Sequence, residues 1–154
     1  MMMMSAPTLL LTLLAFAAGA CWAVQAAVNV ELARGLGSSL TAVTISFIVG
    51  ALLLIVATLG TRQPLPSAAA VRDVPGYAWI GGGFLGAFIV FTVLFLAPRL
   101  GMAVVFSAII AGQLATALLL DHFGLLGTIV REVTLGRIAG VFVMFAGVLM
   151  IRFL

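Results

Sequence analysis

The side chains that could do chemistry in this sequence are few, and most of them are uncharged. There are seven Arg, no Lys, four acids (Glu31, Asp73, Asp121 and Glu132) and one His, His122. One His and four scattered acids cannot assemble a nucleophile–base pair or a metal cluster, so the chain reads as no enzyme, with no metal site and no cofactor. Cys21 is the single cysteine and lies in an apolar run, which excludes an intrachain disulfide and a cysteine-built metal site. What remains is a set of amides and hydroxyls inside apolar stretches. Gln25 and Asn29 stand at i and i+4, with Trp22 three residues before Gln25, so one helix face carries all three. Gln113 is followed by Thr116 and, further on, by Asp121. Ser46 lies with Thr41, Thr44 and Thr58 in a second stretch, and Thr92 lies among Phe84, Phe88, Phe91 and Phe95 in a third.

An amide at bilayer depth needs a partner or water. Gln25 and Gln113 have two readings. They serve as interhelical glue, or they line a polar cavity with aromatic walls. No Asp, Glu or Arg falls near the middle of any apolar stretch, so a central carboxylate that trades a proton for a cation is missing. Glu31 and Asp121 sit near stretch ends, where a solvated charge costs less. Arg99 follows Pro98 in a short break and can cap carbonyls, bind lipid phosphate or line a cavity mouth.

The elements that must position these residues follow from composition. Hydrophobic residues make up 65% of the 154 and charged residues 7%, against roughly 25% charged in soluble domains. Lipid must cover the surface that charges cannot. A spanning helix needs about 20 mostly apolar residues, and five stretches qualify: about 7–30, 40–59, 77–97, 102–120 and 135–151. The chain therefore reads as one all-α, integral membrane domain over 1–154. Gly35 to Ser39 and the prolines 64 and 66 end the first two spans, and Pro98-Arg99 breaks the third. Only Pro98 to Gly101 separates the third span from the fourth, which predicts a tight antiparallel hairpin. Ser67 to Asp73 reads as a short interfacial helix. Tyr77 and Trp79 open the third span at headgroup level. Gly82 with Gly86, and Gly136 with Gly140, give small faces for close packing.

Ala18-Gly19-Ala20-Cys21 loosely resembles a lipoprotein cleavage site. Met1 to Leu14 carries no Lys or Arg, however, and a cleaved signal needs a positive n-region. The expectation is an uncleaved first span. Five spans place the termini on opposite sides. The N-terminal side then carries Arg62, Arg72, Arg131 and Arg137, and the other side carries Arg34, Arg99 and Arg152. Arg and Lys in short loops set orientation, and a four-to-three division sets almost none. Such a chain can insert both ways, and two copies in opposite orientations then pair. Scattered arginines form no basic stripe, so nucleic acid is not a partner.

The stretch Trp22-Ala-Val-Gln25-Ala-Ala-Val-Asn29, followed by Leu36-Gly37-Ser38 and Ile45-Ser46-Phe47-Ile48-Val49-Gly50, resembles the YdcZ-like branch of the drug/metabolite transporter (DMT) superfamily. So do Pro98-Arg99-Leu100-Gly101, Ala111-Gly112-Gln113-Leu114 and Asp121-His122-Phe123-Gly124, in that order. The resemblance implies a bacterial or archaeal inner-membrane protein with five spans, half of an inverted-repeat transporter that needs a partner, itself or a paralogue. By motif position it implies Gln25, Asn29, Ser46, Gln113 and Asp121 as cavity residues. Trp22 joins them as a substrate-binding candidate on the same face, with Asp121, Glu31 and Arg99 as coupling or gating candidates. Cys21-Trp22 stands where smaller aliphatic residues are expected.

The reading of function is a small secondary exporter for a small organic solute. It works by alternating access, in the bilayer, as an antiparallel homodimer or a paralogous heterodimer. The alternatives are a dual-topology small-ion channel and a non-transporting accessory subunit.

Overall fold

A computed structural model describes residues 6–154; Met1 to Ser5, the start of the uncharged N-terminal stretch, lie outside the described residues. The elements in order are α1 (Ala6–Leu36), α2 (Ser39–Gly60), α3 (Ala68–Asp73), α4 (Gly76–Leu100), α5 (Met102–Phe123), a 3-10 turn (Leu125–Gly127) and α6 (Leu135–Phe153). α1, α2, α4, α5 and α6 are each long and apolar enough to cross a bilayer, and the described residues hold no strand. The fold is all-α and of the integral membrane type. Two compact units divide the chain, Met1–Phe95 and Leu96–Leu154.

In the first unit α1 packs against α2. Their turn is a Schellman cap. Gly37, at φ 67, takes the left-handed position. The Ser38 N–H donates to Ala33 O and the Gly37 N–H to Arg34 O, which satisfies carbonyls that a helix end leaves bare. Ser38 then caps α2 by accepting from the Thr41 N–H at 3.2 Å. Because the cap absorbs the loop-like cluster, α1 continues to Leu36, beyond the predicted end near Val30. Ala26, Asn29 and Val30 of α1 and Ala42 and Val43 of α2 are buried. A methyl on Gly86 of α4 would stand 3.5 Å from the Phe47 ring of α2, so this glycine permits the approach of an aromatic side chain. Ser67 accepts from the Ala70 N–H and caps the short α3.

Pro98 does not break the third span. It lies inside α4, which runs on to Leu100. A proline removes one intrahelical hydrogen bond, and near a C-terminus few turns remain to be lost. Gly101 alone separates α4 from α5.

In the second unit α6 packs along α5. Thr134 caps α6 by accepting from the Arg137 N–H at 3.3 Å. α5 includes Asp121 and His122 in its last turn and ends at Gly124, whose left-handed backbone returns its N–H to Leu120 O.

Candidate functional site

The polar residues of the first unit divide between inside and outside. Asn29 is 5% exposed and faces α2, where its Nδ2 donates to Ser46 Oγ at 3.1 Å. The sequence placed both in a cavity, and the structure brings them together as a bond between two packed helices. Gln25 lies about 40° around α1 from Asn29, yet it is exposed and makes no side-chain hydrogen bond among the described residues. Trp22 is half-buried on the same helix. Glu31 pairs with Arg34 at 3.5 Å on the surface, with both side chains largely exposed. An exposed pair of this kind contributes little to stability.

In the second unit Gln113 sits at the centre of α5. At about 100° per residue it points nearly opposite to Ala111 and away from Ser107, both of which are buried. Gln113 and Thr116 are exposed, and neither makes a side-chain hydrogen bond among the described residues. Ser107 is satisfied internally through Val104 O at 3.0 Å.

The end of α5 carries the densest polar arrangement. Asp121 Oδ2 accepts from Arg137 Nη2 at 2.7 Å, with side chains 28% and 34% exposed. The Asp121 carbonyl accepts from the Arg131 N–H at 2.9 Å. Thr128 Oγ1 donates to Leu120 O at 2.8 Å, and Arg137 Nη1 reaches Glu132 O. A methyl on Gly124 would stand 2.7 Å from Val130 Cγ2. Thus the Asp121-His122-Phe123-Gly124 motif folds the α5–α6 connection back on itself. Sequence reading placed Arg137 at the interface and missed its partner. Its signal was an arginine three residues after a capping threonine, on a span that could not hold a lone charge. Arg99 is exposed in the last turn of α4, and His122 sets its ring edge-on to Phe123 at 4.8 Å between centroids.

Two grooves flank the α5–α6 contact. One, about 420 Å³, is lined by Leu118, His122, Phe123, Ile138 and Phe142, among others. The second, about 370 Å³, takes in Leu114, Arg137 and Met144. Neither holds Gln113, and both are lined almost wholly by apolar side chains. No group of His, Cys, Asp or Glu suited to a metal ion occurs among the described residues.

Five apolar helices with amides on their outer faces define a multi-pass membrane protein. The chain belongs to the YdcZ family, whose model, described as "Putative inner membrane exporter, YdcZ", matches residues 10–150. It is a membrane transporter of the inner membrane. Neither a curated protein nor a solved structure matches it.

Proposed function

We propose that this chain is one half of a secondary exporter, carrying a small organic solute by alternating access as an antiparallel homodimer. The observation that carries the reading is the exposure of Gln113 at the centre of α5 without a side-chain hydrogen-bond partner among the described residues. A primary amide in hydrocarbon with unspent donors and acceptors costs several kcal/mol. A second chain, a solute or water in a cavity removes that cost. Burial supports the same reading. At most 17% of the most apolar window of any span is buried, so most positions of every span keep some exposure in a single copy. Lipid accounts for the leucines on that surface and leaves Gln25 and Gln113 unexplained.

The antiparallel arrangement rests on the four-to-three arginine division and on the odd number of spans. Two such halves have the symmetry of the inverted repeats that hold a midplane site in many transporters. Gln25 and Gln113 are the substrate-contacting residues of this reading, with Trp22 on the same helix as Gln25. Asn29 and Ser46 hold α1 to α2. Coupling through Asp121, Glu31 or Arg99 has less support, since Asp121 and Glu31 are already paired with arginines at span ends.

The test is accessibility of single cysteines in the loops, at Gln63 and at Ile129, in a Cys21→Ala background. The reading expects each position to react from both sides of the membrane. Reaction from one side only contradicts the antiparallel homodimer.

A further inference from the structure

Between α5 and α6 the chain keeps the apolar character of the helices it joins. Phe123-Gly-Leu-Leu-Gly-Thr-Ile-Val130 runs for eight residues without a charge. Its five large apolar side chains, Phe123, Leu125, Leu126, Ile129 and Val130, are each at least 50% exposed. Turns that run through water favour Gly, Pro, Asn, Asp and Ser. This stretch has two glycines and none of the others.

Its polar groups are spent inward, on the end of α5. The Gly124 N–H donates to Leu120 O. The Thr128 hydroxyl is shared between Leu120 O at 2.8 Å and Leu125 O at 2.9 Å. The Thr128 N–H donates to Leu125 O, and the Arg131 N–H to Asp121 O. A helix end leaves carbonyls bare, and away from water such groups are costly. Here the connection itself meets those of Leu120 and Asp121. Conformation points the same way. Leu126 holds φ 55 and ψ 27, a left-handed backbone that suits glycine or asparagine and costs a leucine. In water this position would give leucine neither an easy backbone nor a covered side chain. In lipid the side chain at least is covered. The other non-glycine residue with positive φ among the described residues is Arg62, whose connection also carries Arg72 and Asp73. That position holds a side chain made for water.

Two observations say what covers the run. The connection leaves one spanning helix at Phe123 and enters the next at Leu135, so chain continuity sets it at the bilayer surface. Arg131, which ends the charge-free run, is exposed and makes no ion pair or side-chain hydrogen bond among the described residues. An arginine at that depth meets lipid phosphate. Apolar side chains below and a cation beside the headgroups are the two parts of an interfacial anchor.

We propose that Phe123–Val130 is such an anchor. Leu125, Leu126 and Ile129 enter the headgroup/acyl boundary, and Arg131 stands at the phosphates. An anchor there sets the depth and tilt of α5 and α6. The boundary is wet, so a thiol at Ile129 still reacts from its own side of the membrane. The proposal stands or falls apart from the exporter reading.

The test is depth-dependent quenching of an environment-sensitive fluorophore on the purified full chain in phosphatidylcholine vesicles. In a Cys21→Ala background, Leu126→Cys carries the fluorophore inside the run and Glu132→Cys carries it just outside. Nitroxide lipids labelled near the top of the acyl chain should quench Leu126→Cys about threefold more strongly than Glu132→Cys, the contrast of a group set into the headgroup/acyl boundary. Aqueous iodide should give the reverse order. Adding Leu125→Asp with Ile129→Asp should lower lipid quenching at Leu126→Cys to the Glu132→Cys level. The depth contrast in the parent chain does not depend on that variant. Equal quenching at the two positions overturns the proposal. So does shielding of Leu126→Cys from both iodide and nitroxide lipid, which would mean that a second copy covers the run. Lipid quenching unchanged by the paired aspartates in folded protein overturns it as well.

Discussion

Asp121 Oδ2 and Arg137 Nη2 lie 2.7 Å apart, so the last turn of α5 is tied to the first turn of α6 by a charge-assisted hydrogen bond. About a third of each side chain still meets the outside. The contact is therefore partly screened and weaker than a fully enclosed pair. Its geometry explains how Arg137 is tolerated at the start of an apolar helix: its charge is spent on a carboxylate and a carbonyl rather than left to lipid.

If the pair is a fastening, charge reversal at one end should be rescued at the other. Asp121→Arg alone should destabilise the chain by about 1–3 kcal/mol, the range for a hydrogen bond to a charged group. Adding Arg137→Asp should recover part of the loss. Thermal unfolding of the two single variants and the double variant gives the coupling directly. If Asp121→Asn retains both stability and transport, the residue is neither fastening nor coupling group.

Asn29 and Ser46 make a different kind of contact, one between uncharged groups where water is scarce. Interhelical hydrogen bonds in membranes average about 0.6 kcal/mol, but removing one partner can strand the other. Ser46→Ala leaves the buried Asn29 amide short of an acceptor and should cost about 1–3 kcal/mol. Asn29→Ala leaves a serine able to bond its own helix backbone, and should cost less. Replacing both, as Asn29→Leu with Ser46→Ala, should be close to neutral. Denaturation of the three variants in one detergent ranks them.

Gly124 is fixed by two independent constraints. Its φ of +60 is left-handed, and an added methyl meets Val130 Cγ2 at 2.7 Å. The conformation alone costs an L-residue roughly 1–2 kcal/mol, and the contact adds to it. Gly124→Ala should destabilise more than Gly140→Ala, where a methyl meets open space. Val130→Ala placed on Gly124→Ala should recover the steric share and not the backbone share. Melting temperatures of the three variants separate the two.

Hydropathy made the helices legible in the sequence, because a bilayer-length apolar run has few other uses. It was less informative about helix ends. Asp121 and His122 read as terminators, yet they complete the last turn of α5. Pro98 read as a break, yet α4 passes it. The site residues show the limit more sharply. Gln25 and Asn29 share a spacing and a chemistry, and only contact with α2 decides that one is buried and the other open. The Asp121–Arg137 contact spans a connection whose course depends on left-handed residues at Gly124 and Leu126, and a leucine gives no sign of that conformation in advance. Gln113 was legible as an amide at mid-span, whereas its outward direction depends on which face of α5 is packed.

An antiparallel pair related by a two-fold axis in the membrane plane places a residue beside its own copy only near mid-depth. Gln113, at the centre of α5, meets that condition, and Phe123, at its end, does not. The most direct measurement is thiol coupling between copies in native membranes, in a Cys21→Ala background, comparing Gln113→Cys with Phe123→Cys. The account predicts covalent dimers from Gln113→Cys and monomers from Phe123→Cys under the same short bifunctional reagent. Equal coupling at both depths indicates parallel copies, and monomers from both indicate no such pair; either result contradicts the account.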